Sequence, residues 1–404
     1  MAIDIVSDPR YQRFRERYYD NFYRYVMEIC DVTPTWQQVE FCKACQVPGA
    51  RVAVASGHGC FGKGMQVLMY DGTVKKVEDV IVGDVLMGDD STPRNVLSLC
   101  RGQENLYRVT FFDGTEHVYN ESHILCLVAT QTHGKQMTGQ KEEVVLRDFL
   151  KWSDRKKRTH AAYRSSCDFN ASTQSLLIPP YILGLWLGDG TRRLPQITKP
   201  DIEIKNAIYE YARSCGYGVR EIIGGSYFFT NNGVKKGSFN DKLRQLGIWE
   251  KKRIPFCYLT SSKKDRLELL AAIIDTDGTL DHRARRVITV VQKNEDLAND
   301  IVFLTKSLGI HATKRLIQKK CYNTGKVGTY FSISITRNIE IIPIRIPRKK
   351  PSSDGFNQRS NLHFGIKKVD CLGVGNYYGF EIDGNKRFLS SDFMVCNHSG
   401  RLNL

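Results

Sequence analysis

At 404 residues the chain is too long for one ordinary domain, and roughly two to four are expected. Hydrophobic content of 41% and charged content of 25% are those of globular protein. No run of about 18 apolar residues marks a membrane helix, and the start, MAIDIVSDPR, lacks the apolar core of a secretion signal. The twelve cysteines show no disulfide or zinc spacing, and Cys42 and Cys45 read as two helix positions one turn apart. A cytoplasmic protein is expected, with no membrane partner.

The net charge of +16 is unevenly spread. Residues 181–350 hold 31 Lys and Arg against 16 Asp and Glu, and the remainder holds 28 against 27. A solvated basic face is the ordinary reading of such an excess. Its confinement to one domain-sized block favours a polyanion partner, most simply nucleic acid.

In chain order, residues 1–59 read as helices and then a strand. RYQRFRERYYDNFYRYVMEIC is aromatic and basic at helical spacing. VTPTWQQVEFCKACQ follows as a helix capped by Thr33 or Thr35. ARVAVASGHG then runs as a buried strand into a glycine-rich turn, the opening of a phosphate loop, but no Gly-Lys-Ser/Thr follows. Residues 60–130 alternate apolar and polar residues, with turns at Asp71-Gly72, Val82-Gly83-Asp84 and Asp113-Gly114. From about 131 to 175 the polar, basic composition predicts a linker or surface insertion. Residues 180–350 mix helix and strand, and IKKVDCLGVGNYYGFEIDGNKRFLSSDFMVCN returns to strands. A β-domain is thus interrupted by a basic α/β block and then completed.

Within that block PYILGLWLGDGTRR and LLAAIIDTDGTLDHR match each other, with Asp189 and Asp277 88 residues apart, so the block is a pseudo-dimer. Small residues allow two helices to pack backbone to backbone. An Asp at the end of each would then project beside its twin. One Asp-Gly alone is an ordinary helix-ending turn; two, repeated inside the basic block, point to chemistry. Carboxylates that close repel unless a divalent cation sits between them and a phosphate, the logic of metal-assisted phosphodiester hydrolysis.

These segments resemble the motifs of LAGLIDADG homing endonucleases. The resemblance covers roughly 180–350. It implies paired β-saddles on a long, asymmetric double-stranded DNA site, a monomer with an internal pseudo-twofold, and double-strand cleavage with Mg²⁺ or Mn²⁺ held by Asp189 and Asp277. It also implies a helper lysine, for which Lys252 in KKRIPFCYL is the best position; a lone lysine there is more often a plain phosphate contact.

The flanking β-domain resembles inteins of the Hint fold, in CFGKGMQVLMYDGTVKKVEDVIVGDVLMGDD, NESHILCLV and YYGFEIDGNKRFLSSDFMVCN. The fold implied is an all-β, horseshoe-like splicing domain interrupted by an α+β pseudo-dimeric endonuclease. Its parts are 60–175 and 351–398, around an endonuclease at 176–350, with host sequence at 1–59 and 399–404. The resemblance makes Cys60 the nucleophile that attacks the Gly59 carbonyl to form a thioester, with no cofactor. His123 matches the histidine that activates that bond, and Asn120 stands where its usual Thr partner would. Asn cyclisation then frees the intein. The closing order is Cys396-Asn397-His398-Ser399, whereas such inteins end His-Asn before a Ser, Thr or Cys acceptor. Asn397, His398 and Ser399 therefore carry the closing roles in an exchanged order, and Lys386 stands where a histidine is often found.

Joining the flanks gives VASGHG–SGRLNL, an interrupted phosphate loop with Arg401 where Lys is expected. With TPTWQQ it resembles the ATPase start of phage terminase large subunits, where Gln37 or Gln38 would contact adenine, and implies a phage or prophage origin. Two rival classes are a DNA-binding relic of such an element and an autoprocessing domain of hedgehog or toxin kind. The repeated Asp-Gly helices argue against the second.

Overall fold

The computed structural model describes residues 8–30, 36–49, 55–132, 137–169, 176–232, 237–281, 286–320, 327–351, 362–397 and 400–403. Thr33, Thr35, His398 and Ser399, and the side chains of Gln37, Gln38 and Arg401, lie outside it.

Two long strands, Pro93–Phe111 and His363–Ile382, pair antiparallel and carry the β-domain. They come from opposite sides of the central block, so the domain is completed only when the chain returns. The eight-stranded sheet runs Val85–Met87, Pro93–Phe111, Glu116–Asn120, Phe61–Gly62, His363–Ile382, His160–Tyr163, Ile124–Ala129 and Lys141–Val145. Its core mixes Phe61, Phe111, Tyr119 and Phe149 with Phe364, Phe380, Phe388 and Met394. The expected turns form: Gly72, Gly83 and Gly114 take φ of 89°, 90° and 87°, a region that glycine enters without steric cost.

Residues 131–175 correct the expectation of a linker. Lys141–Val145 and His160–Tyr163 flank Ile124–Ala129 as sheet strands, and Val144, Ala161 and Ala162 are buried. Polar composition hid them because the charges are paired. Glu142 meets His160 at 3.1 Å and Glu143 meets Arg387 at 2.7 Å.

The central block has its own core, from Ile178 to Ile346. Pro180–Asp189 and Lys263–Asp277 pack against each other, and each is followed by an antiparallel sheet. The first sheet runs Gln196–Thr198, Ser226–Thr230, Gly218–Ile222. The second runs Gly278–Leu280, Ile288–Gln292, Val327–Thr336, His311–Lys320. A helix separates one leading strand from the closing pair in the first half (Ile202–Cys215) and two leading strands from it in the second (Glu295–Ser307), so the repeat read from the motifs is also a repeat of topology. Among the described residues no helix is long and apolar enough to cross a membrane.

The units are fastened by buried polar contacts. Arg266 donates to Ser307 Oγ at 2.6 Å and to the Cys167 carbonyl at 2.7 Å. Inside the β-domain, Arg164 ties its two sequence parts together by bridging Asp113 and Asp392 at 2.6 Å each.

Candidate functional site

Cys60 is fully buried at the start of the β-domain. Its backbone N–H donates to Asn120 Oδ1 at 2.7 Å, and the Asn120 N–H donates back to the Cys60 carbonyl at 3.1 Å. The nitrogen of the Gly59–Cys60 bond is therefore held by a side chain 60 residues away. Asn120 Nδ2 donates to Glu104, which also accepts from Ser122 Oγ at 2.7 Å. His123 stacks on Tyr119 with centroids 3.9 Å apart and meets the edge of Phe61 at 4.9 Å. Gly59 passes so close that a Cβ there would lie 3.2 Å from His123 Cα and 3.1 Å from Ile124 N. The neighbouring Cys100 thiol, and then burial, push the Cys60 thiol far above its ordinary pKa. Both effects favour the neutral thiol over the thiolate.

Asn397 ends the strand Val395–Asn397, which pairs with Arg387–Leu389 and packs on Ile124–Ala129, the strand that follows His123. Its Oδ1 is buried without a hydrogen-bond donor among the described residues. The flanking strands Ala55–His58 and Gly400–Asn403 pair antiparallel, His58 opposite Gly400. The chain entering the β-domain and the chain leaving it lie side by side.

The second site lies at the ends of the paired helices. A Cβ on Gly184 would come within 2.6 Å of the Leu269 carbonyl oxygen, and one on Gly188 would overlap Thr276 Oγ1. That close approach sets Asp189 and Asp277 together. Burial, and then the Asp189 charge, raise the Asp277 carboxyl above its usual range. Lys199 Nζ lies 2.9 Å from Asp189 Oδ2, and Gln292 Nε2 donates to Asp277 Oδ2 at 2.5 Å. Lys252 donates to the Leu187 and Gly188 carbonyls, both at 3.0 Å, and burial brings it down to about 8 despite the two aspartates. Among the described residues no three His, Cys, Asp or Glu gather as a metal cage. Two crowded carboxylates with hard oxygen donors still fit a cation that takes its other ligands from phosphate and water, as Mg²⁺ does.

Residues 60–175 match the model of the Hom_end-associated Hint family, and residues 264–342 match that of the LAGLIDADG-like domain. This chain carries a Hint domain and a LAGLIDADG domain. It is 28% identical over 358 residues to a replicative DNA helicase DnaB of Mycobacterium intracellulare, covering 81% of this chain and 56% of that protein. It is 47% identical over 57 residues to the catalytic chain of a V-type proton ATPase of Candida tropicalis, covering 14% of this chain and 5% of that one. The chain thus spans little more than half of the first relative and a small part of the second. Among solved structures, the gp41-1 intein is 21% identical, covering 22% of this chain and 80% of its own, with a TM-score of 0.16. The homing endonuclease I-DmoI with DNA and Ca is 13% identical, covering 40% and 83%, with a TM-score of 0.28.

In the Hint domain the expected residues Cys60, Asn120 and His123 do meet. Asn120, at the place of the histidine's usual Thr partner, grips the Cys60 amide directly, its carbonyl facing that N–H while its amide faces Glu104. Glu104 was not legible, since it sits mid-strand with no motif around it. In the LAGLIDADG domain Asp189, Asp277 and Lys252 come together as expected. Lys349 was missed. It is buried, donates to the carbonyls of Ile274 (2.9 Å), Asp275 (2.7 Å) and Thr276 (3.1 Å), and is lowered to about 8, chiefly by burial. It therefore caps the second helix as Lys252 caps the first. A signal existed: Arg-Ile-Pro occurs at 253–255 and again at 345–347, beside each lysine.

Proposed function

We propose that this chain is a self-splicing intein whose LAGLIDADG domain makes a metal-dependent double-strand break in the uninterrupted host gene. The observation that carries the reading is the grip of Asn120 on the amide of Cys60, with His123 against Gly59. In the first step the Cys60 thiol adds to the Gly59 carbonyl. The C–N bond then breaks, the nitrogen takes a proton from the His123 side, and a thioester and free amine result. Ser399 is the acceptor for the acyl group. The Asn397 side-chain amide nitrogen attacks its own backbone carbonyl and the Asn397–His398 bond breaks, so the excised chain leaves as a succinimide and the freed amine is that of His398, beside the ester on Ser399. The pairing of Ala55–His58 with Gly400–Asn403 supports that transfer, because donor and acceptor need not search for each other.

At the second site the cation would be Mg²⁺ or Mn²⁺, held by Asp189 and Asp277; when bound, it would polarise phosphate and activate water. Lys252 and Lys349 fix the helix ends that present these carboxylates. The partner is duplex DNA, the chain acts as a monomer with an internal pseudo-twofold, and it works in the cytoplasm of a phage or prophage host. Residues 1–59 and 399–404 are host sequence in this reading, of a terminase-like ATPase. A second reading, a relic that binds DNA but no longer splices or cuts, is favoured by one observation: the exchanged order Asn397-His398 before Ser399.

Dithiothreitol treatment of the purified chain tests the first step. Release of residues 1–59 by the native chain, abolished in Cys60→Ala, is the expected outcome. Thiol-induced release that persists in Cys60→Ala sinks the assignment. Incubation with the uninterrupted host gene and Mg²⁺ separates the active element from the relic.

A further inference from the structure

The two halves of the LAGLIDADG domain are alike in topology but not in what faces each aspartate. Gly190 bridges Ile197, and Gly278 pairs with Val290. Those pairs fix the register between the halves, each glycine directly following its aspartate. Two residues beyond the bridged position stand Lys199 in the first half and Gln292 in the second. The two positions are equivalent, and each side chain reaches its own aspartate, at 2.9 Å and 2.5 Å. Lys199 is also pinned from the far side. Its Nζ donates to the Thr276 carbonyl at 2.6 Å, at the end of the opposite helix, and its side chain is only 19% exposed. The ammonium therefore stays where it is.

We infer that the two aspartates have unequal demand for a divalent cation, with Asp277 the tight site and Asp189 neutralised by the fixed ammonium of Lys199. The inference rests on the nuclease reading of this domain and deepens it. A carboxylate in contact with an ammonium has its charge cancelled, and a dication added there meets cation–cation repulsion at close range. Asp277 feels Lys252 and Lys199 only at longer range and has the neutral Gln292 amide, not an ammonium, in contact, and the Gln292 carbonyl oxygen can turn toward the ion or its water. Lys252 feels Asp277 more strongly than Asp189, but its Nζ is engaged by the Leu187 and Gly188 carbonyls rather than set against either carboxylate.

Terbium(III) binding to the full chain, without DNA, tests this apart from cleavage. Trp186, whose ring centroid lies 5.3 Å from Lys252 Nζ, supplies the sensitising indole. The native chain should bind one tight terbium ion. Asp277→Asn should weaken that ion at least about tenfold, and Asp189→Asn should leave it within about threefold. Lys199→Gln should add a second ion of similar affinity, and Gln292→Lys should weaken the first, with circular dichroism checking that each variant is folded. Equal losses in the two Asn variants, no second ion in Lys199→Gln, or no tight ion in the native chain would overturn the inference. Failure of the native chain to cut DNA while the terbium asymmetry holds would instead overturn the nuclease reading.

Discussion

Asn120 works on both of its amide faces, and that makes it the most testable residue of the Hint domain. Truncation to Ala strips the Cys60 N–H of its acceptor in a buried site and leaves Glu104 without that donor. A buried donor left unmatched costs about 1–3 kcal/mol, so thiol-induced release in Asn120→Ala should slow by roughly tenfold or more. Asn120→Asp keeps the acceptor but sets a carboxylate against Glu104, and it should slow release as well. Rates equal to the native chain in both variants would show that the 2.7 Å contact does not position the bond. The exchanged junction gives a second prediction. A double variant with His at 397 and Asn at 398 sets the cyclising amide directly before Ser399, and spliced product should rise on a denaturing gel. No gain over the native order would mean that the last block is set in the wrong register. These residues were legible in different degrees. Cys60, His123 and the two aspartates announced themselves through motif context. Glu104, Lys199 and Gln292 did not, because each acts through a register that only the folded sheets define.

At the scale of elements, the pair of motif helices depends on the absence of side chains. A Cβ on Gly184 meets backbone, the Leu269 carbonyl oxygen, which cannot swing away. A Cβ on Gly188 meets the hydroxyl of Thr276. Gly184→Ala should therefore destabilise the LAGLIDADG domain by about 1–3 kcal/mol through overpacking. Gly188→Ala should be rescued in part by Thr276→Ala, which removes the clashing oxygen. Thermal unfolding measures both, and independence of the two substitutions at 188 and 276 would contradict the packing described. The helix pair and its aspartates were readable because small residues at fixed spacing admit few alternatives. The Lys141–Val145 and His160–Tyr163 strands were not. Their charged residues read as solvated, and pairing with His160 and Arg387 emerges only once the distant partners are folded beside them.

Across the whole molecule, His311 marks where the LAGLIDADG sheet meets the Hint domain. Its ring packs 4.8 Å from that of Phe364, and its Nδ1 is buried without a hydrogen-bond partner among the described residues. Burial, with Arg164 adding to it, lowers its pKa from 6.5 to about 4. The unfolded chain then binds the proton more readily than the folded one across that interval. Stability is fully present above about pH 6.5 and is lost as the pH falls toward 4, by at most about 1.4 kcal/mol per pH unit. Urea midpoints at about pH 7 and about pH 4.5 should differ less in His311→Leu than in the native chain. An unchanged difference would remove His311 from the acid response.

The pairing of Ala55–His58 with Gly400–Asn403 has a consequence for transplantation. Those eight residues lie outside the segment that would be excised, yet they raise the effective concentration of one junction at the other. A foreign context lacking a compatible strand on each side gives up that proximity. The element is therefore adapted to its insertion point, and its portability should follow the strand-forming capacity of whatever sequence surrounds it.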